Sequence, residues 1–67
     1  GHNIKEAAYL GVGNCIDVTF GSGQAYRYTS KRPDISAKMV WDEWMKSEDK
    51  SKHFTHFIRN GLNYVKL

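Results

Sequence analysis

The chain predicts an α+β fold: a small antiparallel sheet in the order β-β-β-α-α-β, with two helices packed on one face. Three observations predict it. Residues 15–28 alternate apolar and polar, turn at Gly21-Ser22-Gly23 and alternate again, which is the pattern of a β-hairpin. Residues 34–46 and 51–60 carry apolar side chains at helical spacing. The whole chain is 67 residues, one domain at most. A chain so short buries only about 60% of its unfolded surface, so there is one thin core for both helices to cover.

The first strand is expected over residues 7–12, weakened by Gly11 and ended by the turn dipeptide Gly13-Asn14. The second runs from Cys15 to Phe20, with Ile16, Val18 and Phe20 on one face and Cys15, Asp17 and Thr19 on the other. The third covers residues 24–29. A three-residue loop with glycine at its left-handed position sets Val18 opposite Tyr26, Ile16 opposite Tyr28 and Asp17 opposite Arg27. A two-residue Ser22-Gly23 loop would slip this pairing by one and set the tyrosines beside Thr19 and Asp17. The first register is preferred because apolar then meets apolar and opposite charges meet.

Pro33-Asp34 opens the first helix, proline suiting the first turn and aspartate capping free N–H groups. Ala37, Val40, Trp41, Trp44 and Met45 share one side of it; Ile35 and Met39 lie on the other, and Met39 has no evident burial partner. Ser47-Glu48-Asp49-Lys50 is a polar break. Ser51 is expected to cap a second helix whose stripe is Phe54, Phe57 and Ile58. Asn60-Gly61 stops it, and residues 62–67 return as a fourth strand.

Composition excludes several classes. With one cysteine, Cys15, there is no internal disulfide and no cysteine-based zinc site. That predicts a reducing, cytoplasmic setting. The longest apolar run, Ala7 to Leu10, is far short of the ~20 residues a membrane helix needs. Residues 1–3 read as a tag remnant and a disordered start, leaving residues 4–67 as the domain. The net charge of +3 is modest, and Lys31-Arg32 is the only adjacent basic pair.

An ordered set of motifs runs through the chain: Val18-Thr-Phe20, Ser22-Gly23, Tyr26-Arg-Tyr28, Arg32-Pro33, the following helix, and Phe54-Thr-His-Phe-Ile58. In this order and over roughly residues 4–67 the chain resembles the KTSC domain family, named for its occurrence at the C-terminus of some lysyl-tRNA synthetases. The departures are Arg32, where an apolar residue usually precedes the proline, and a polar, long segment between the helices. The resemblance implies a small non-catalytic domain of bacterial or phage origin with a suggested affinity for RNA, and it makes Tyr26 and Tyr28 family-motif residues.

Two functions follow. The first is RNA binding, with Arg27, Lys31, Arg32, Lys50, Lys52 and Arg59 on phosphates and an affinity that falls steeply with salt. Tyr26 and Tyr28 invite a base-stacking reading, but the preferred register turns both rings into the core, with their hydroxyls at its edge. The alternative is a protein–protein interaction or assembly module of phage or mobile-element origin, using Met39, Trp41 and Trp44. Core anchoring is the plainer role for the two tryptophans. His53 and His56, at i and i+3, lack a third ligand, so no metal is expected. Asp42-Glu43 and Glu48-Asp49 diverge on a helix, no serine has a nearby histidine–acid set, and Gly21-Ser-Gly23 is too short for a phosphate loop. No enzyme, cofactor, small-molecule substrate or membrane is expected.

Overall fold

A computed structural model describes residues 3–30, 36–59 and 61–67. Four strands form one antiparallel sheet in the order β1-β2-β3-β4: β1 (Ile4–Leu10), β2 (Cys15–Phe20), β3 (Ala25–Ser30) and β4 (Leu62–Lys66). Between β3 and β4 lie α1 (Ala37–Met45) and α2 (Lys50–Phe54), the latter continuing as a π-helical stretch, Thr55–Arg59. The fold is therefore α+β, in the expected order.

The central hairpin has the preferred register, with Ile16 opposite Tyr28, Asp17 opposite Arg27 and Val18 opposite Tyr26. Its loop closes through Gly23 N–H donating to Phe20 O (2.8 Å) and Phe20 N–H donating to Gln24 O (2.9 Å). Gly23 stands at φ 95°, a conformation that glycine adopts without a Cβ clash.

The ends of the other elements differ from expectation. β1 begins at Ile4 and stops at Leu10, because residues 11–14 are all needed to turn the chain into β2, with Asn14 at φ 49°. Val12 is thereby fully exposed rather than in a strand. A bulge between Ile4 and Glu6 lets Ile4, Ala7 and Tyr9 all join the core.

The cap of α1 is Ser36, whose hydroxyl accepts from Met39 N–H at 3.0 Å. Pro33, Asp34 and Ile35 lie outside the described residues. The cap of α2 is Asp49, not Ser51: its carboxylate accepts from Lys52 N–H at 2.9 Å. Several acceptors stand within a few residues of each helix start, and tertiary packing selects among them.

Both helices lie on the face that carries Ile16, Val18 and Tyr28. These pack with Ala37 and Trp44 of α1, Phe54 of α2, Ile58 of the π-helical stretch and Leu62 of β4. The stripe of α1 is the expected one, with Ala37 and Trp44 fully buried, Val40, Trp41 and Met45 half-buried and Met39 exposed. Trp44 Nε1–H also donates to Lys50 O at 3.0 Å, tying α1 to the start of α2. Fully burying side chains of this kind stabilises by roughly 1.5–3 kcal/mol each. Among the described residues, no helix is long and apolar enough to cross a membrane.

Candidate functional site: an aromatic pocket beside the helices

The helices do not cover the whole sheet face. Strand alternation puts Tyr26 and Tyr28 of β3 on that face, and the β3–β4 register sets Tyr28 directly opposite Tyr64. Phe20 reaches the same region from the end of β2, and Phe54 from α2. Their rings meet mostly edge to face: Phe20–Tyr26 at 5.8 Å, Tyr26–Tyr64 at 5.6 Å, Tyr28–Phe54 at 5.5 Å and Phe20–Phe54 at 5.4 Å between centroids.

These five rings wall a cavity of about 290 Å³. Ser22 and Gln24, from the hairpin loop and its edge, and Arg59, the last residue of the π-helical stretch, complete the lining. Exposure is graded across the pocket: Tyr28 is buried, Phe20 and Tyr26 are half-buried, and Tyr64 is 60% exposed.

Arg59 is the only charged residue of this lining among the described residues. No ion pair among those residues holds its guanidinium. Burial raises the pKa of the Tyr28 hydroxyl, with a smaller raising effect from Tyr26, while the charge of Arg59 acts in the opposite direction.

The remaining basic residues are dispersed. Arg27 points from the other face of the sheet, where it makes a bidentate pair with Asp17, Nε–Oδ1 2.8 Å and Nη2–Oδ2 2.9 Å. Those hydrogen bonds and the carboxylate charge hold the guanidinium above its ordinary pKa. Lys50 Nζ–H donates to Ser47 O (3.1 Å) and Met45 O (3.4 Å), carbonyls at the end of α1. Lys52 is exposed on α2, and Lys31 and Arg32 lie outside the described residues. Arg27 and Arg59 thus sit on opposite faces, so the described cations of this set do not make one continuous patch.

Of the residues considered for a protein partner, Met39 is exposed, Trp41 is half-buried against Tyr9 (6.3 Å between centroids), and Trp44 has no exposed surface. Burial leaves Trp44 unavailable to a partner. Of Tyr26 and Tyr28, Tyr28 is core as expected and Tyr26 is a pocket wall.

One serine meets a histidine, without a carboxylate bonded to the pair among the described residues. Ser47 Oγ contacts His53 Nδ1 and also donates to Asp49 O at 3.2 Å. The polar break between the helices folds back on itself and creates the contact, which sequence spacing does not reveal. It ties the end of α1 to α2. No three His, Cys, Asp or Glu side chains gather to hold a metal among the described residues.

Sequence reasoning missed Phe20, Tyr64 and Phe54 as pocket walls. The available signal was the shared parity of Leu62 and Tyr64 in the last strand. Its pairing with Tyr28 needs the β3–β4 register, and no short loop sets that. Comparison with known proteins finds no matching family model, no matching curated protein and no matching solved structure.

Proposed function

We propose that this chain is a small non-catalytic binding domain whose ligand is single-stranded RNA. The observation that carries the reading is the aromatic pocket with Arg59 as its one charged wall among the described residues. Bases stacked on aromatic side chains gain about 1–3 kcal/mol each, whatever their sequence. An arginine fork beside the rings suits a phosphate. The positive net charge and the KTSC resemblance point the same way.

The test is an amide chemical-shift titration with single-stranded RNA, hairpin RNA and tRNA, each at two salt concentrations. Shifts clustered on Tyr26, Arg59 and Tyr64 are expected, strongest with the unpaired strand. No shifts with any of the three would overturn the reading.

A second reading, an assembly module, has its own observation. Met39, Val65 and Leu67 are all more than half exposed, and β1 and β4 are both sheet edges. Sedimentation across a hundredfold concentration range checks it. A strict monomer throughout would remove self-assembly.

A further inference from the structure

We infer that the aromatic pocket holds one unpaired nucleotide of a strand, its base against Tyr26 and Tyr64 and its phosphate on Arg59. The inference rests on the RNA reading and specifies its unit. Size is the first argument. A cavity of about 290 Å³ lies at the low end of the range for small-ligand pockets, roughly 300–1,000 Å³. It has room for a single nucleotide and not for a run of them.

Charge is the second argument. An aromatic enclosure can also attract a cation, but among the described residues no carboxylate lines the walls and an arginine does. The lining therefore repels an ammonium group and favours an anion with a flat face. A nucleotide supplies both. A paired base does not, since its faces are occupied by its neighbours in the stack.

The third argument is where the other cations stand. Arg27 is paired with Asp17 on the far face, and Lys50 is committed to the end of α1. The next cation along the pocket's own sheet face is Lys66, opposite Tyr26 in the register. From the described residues one or two phosphates are then neutralised, not six. For a single strand the logarithm of affinity should fall with the logarithm of salt at a slope between about −0.7 and −1.4, against about −4 for six contacts.

The experiment measures the binding of a ten-nucleotide oligoadenylate, and of adenosine 5′-monophosphate, between 50 and 200 mM salt. It compares the unmodified protein with Tyr64→Ala and Arg59→Gln. Both positions are exposed, and thermal melting confirms that each variant folds. The expected results are a shallow salt slope and a loss of about 5- to 150-fold in oligonucleotide affinity with Tyr64→Ala. The slope should be shallower still with Arg59→Gln, and the mononucleotide should shift Tyr26 and Tyr64.

Oligonucleotide binding that ignores Tyr64→Ala, or a slope of about −3 or steeper, would overturn the one-nucleotide pocket and leave the RNA reading standing. Failure of every RNA to bind would remove the RNA reading, and this inference with it.

Discussion

Two ends of one aromatic layer behave differently in this molecule. At one end Trp44 is sealed among Ile16, Val18, Ile58 and Leu62, while Phe54 and Tyr28 stand between, buried on one side and lining the cavity on the other. At the other, Phe20, Tyr26 and Tyr64 make the same edge-to-face contacts at similar distances, yet they border a cavity. Ring contacts alone do not close a core. The lid does: α1 lies against β1, β2 and β3, and the π-helical stretch reaches β4. Past Arg59 the chain turns into β4, and the rings beyond are left as a wall.

The sharpest way to break this comparison is to cut a ring from each end. Trp44→Ala should cost about 3–5 kcal/mol, as large aromatic-to-alanine changes in cores do. Natural stability is roughly 0.05–0.15 kcal/mol per residue, about 3–10 kcal/mol for a chain of 67 residues, so the change should remove a large fraction of it. Urea denaturation followed by circular dichroism measures it. Tyr64→Ala should lose less than about 1 kcal/mol in the same assay, because most of that ring already faces solvent. Equal losses at the two positions would mean that the layer is one continuous core.

Smaller effects sharpen the account of what holds the lid. Ser36→Ala and Asp49→Ala each remove a side-chain acceptor from a helix start and should each cost about 1 kcal/mol. Ser51→Ala serves as the control and should cost much less than Asp49→Ala. Gly23→Ala places a Cβ at φ 95° and should lower stability by about 1–2 kcal/mol, the usual penalty for that conformation. A thermal melt detects each change.

The subtlest effect is alkaline. Burial raises the Tyr28 hydroxyl above its ordinary pKa of 10.0, against the lowering pull of Arg59. The folded chain therefore keeps that proton at a pH where the unfolded chain has lost it. The contribution of Tyr28 is whole below about pH 10 and disappears as pH rises through the folded value. Tyr28→Phe should flatten this part of the stability profile, which denaturation at pH 8, 10 and 11 would show. An unchanged alkaline slope in the variant would mean that other groups govern it.

The central hairpin was legible because three local signals agree in it. Alternation assigns the faces, a three-residue glycine loop sets the register, and Asp17 meets Arg27 only in that register. The face of α1 was legible too, since Ala37, Val40, Trp41, Trp44 and Met45 repeat at helical spacing. Helix starts were not: α1 is capped by Ser36, with Asp34 outside the described residues, and Asp49 caps α2 in place of Ser51, because several side chains near a start can accept the same N–H groups. The π-helical stretch has no local signature.

The pocket was half legible. Tyr26 and Tyr28 were placed on the correct face but read only as core, because alternation tells which face a ring is on and not whether anything covers it. The amino-acid sequence by itself determined the strand faces, the hairpin register and the buried stripe of each helix, all of which follow from backbone periodicity within a few residues. Only the tertiary structure decided that Tyr64 stands opposite Tyr28, that Ser47 meets His53, that Arg27 and Arg59 lie on opposite faces, and that Tyr26 and Tyr64 border a cavity. Those facts depend on how segments far apart along the chain pack, and no local periodicity encodes them.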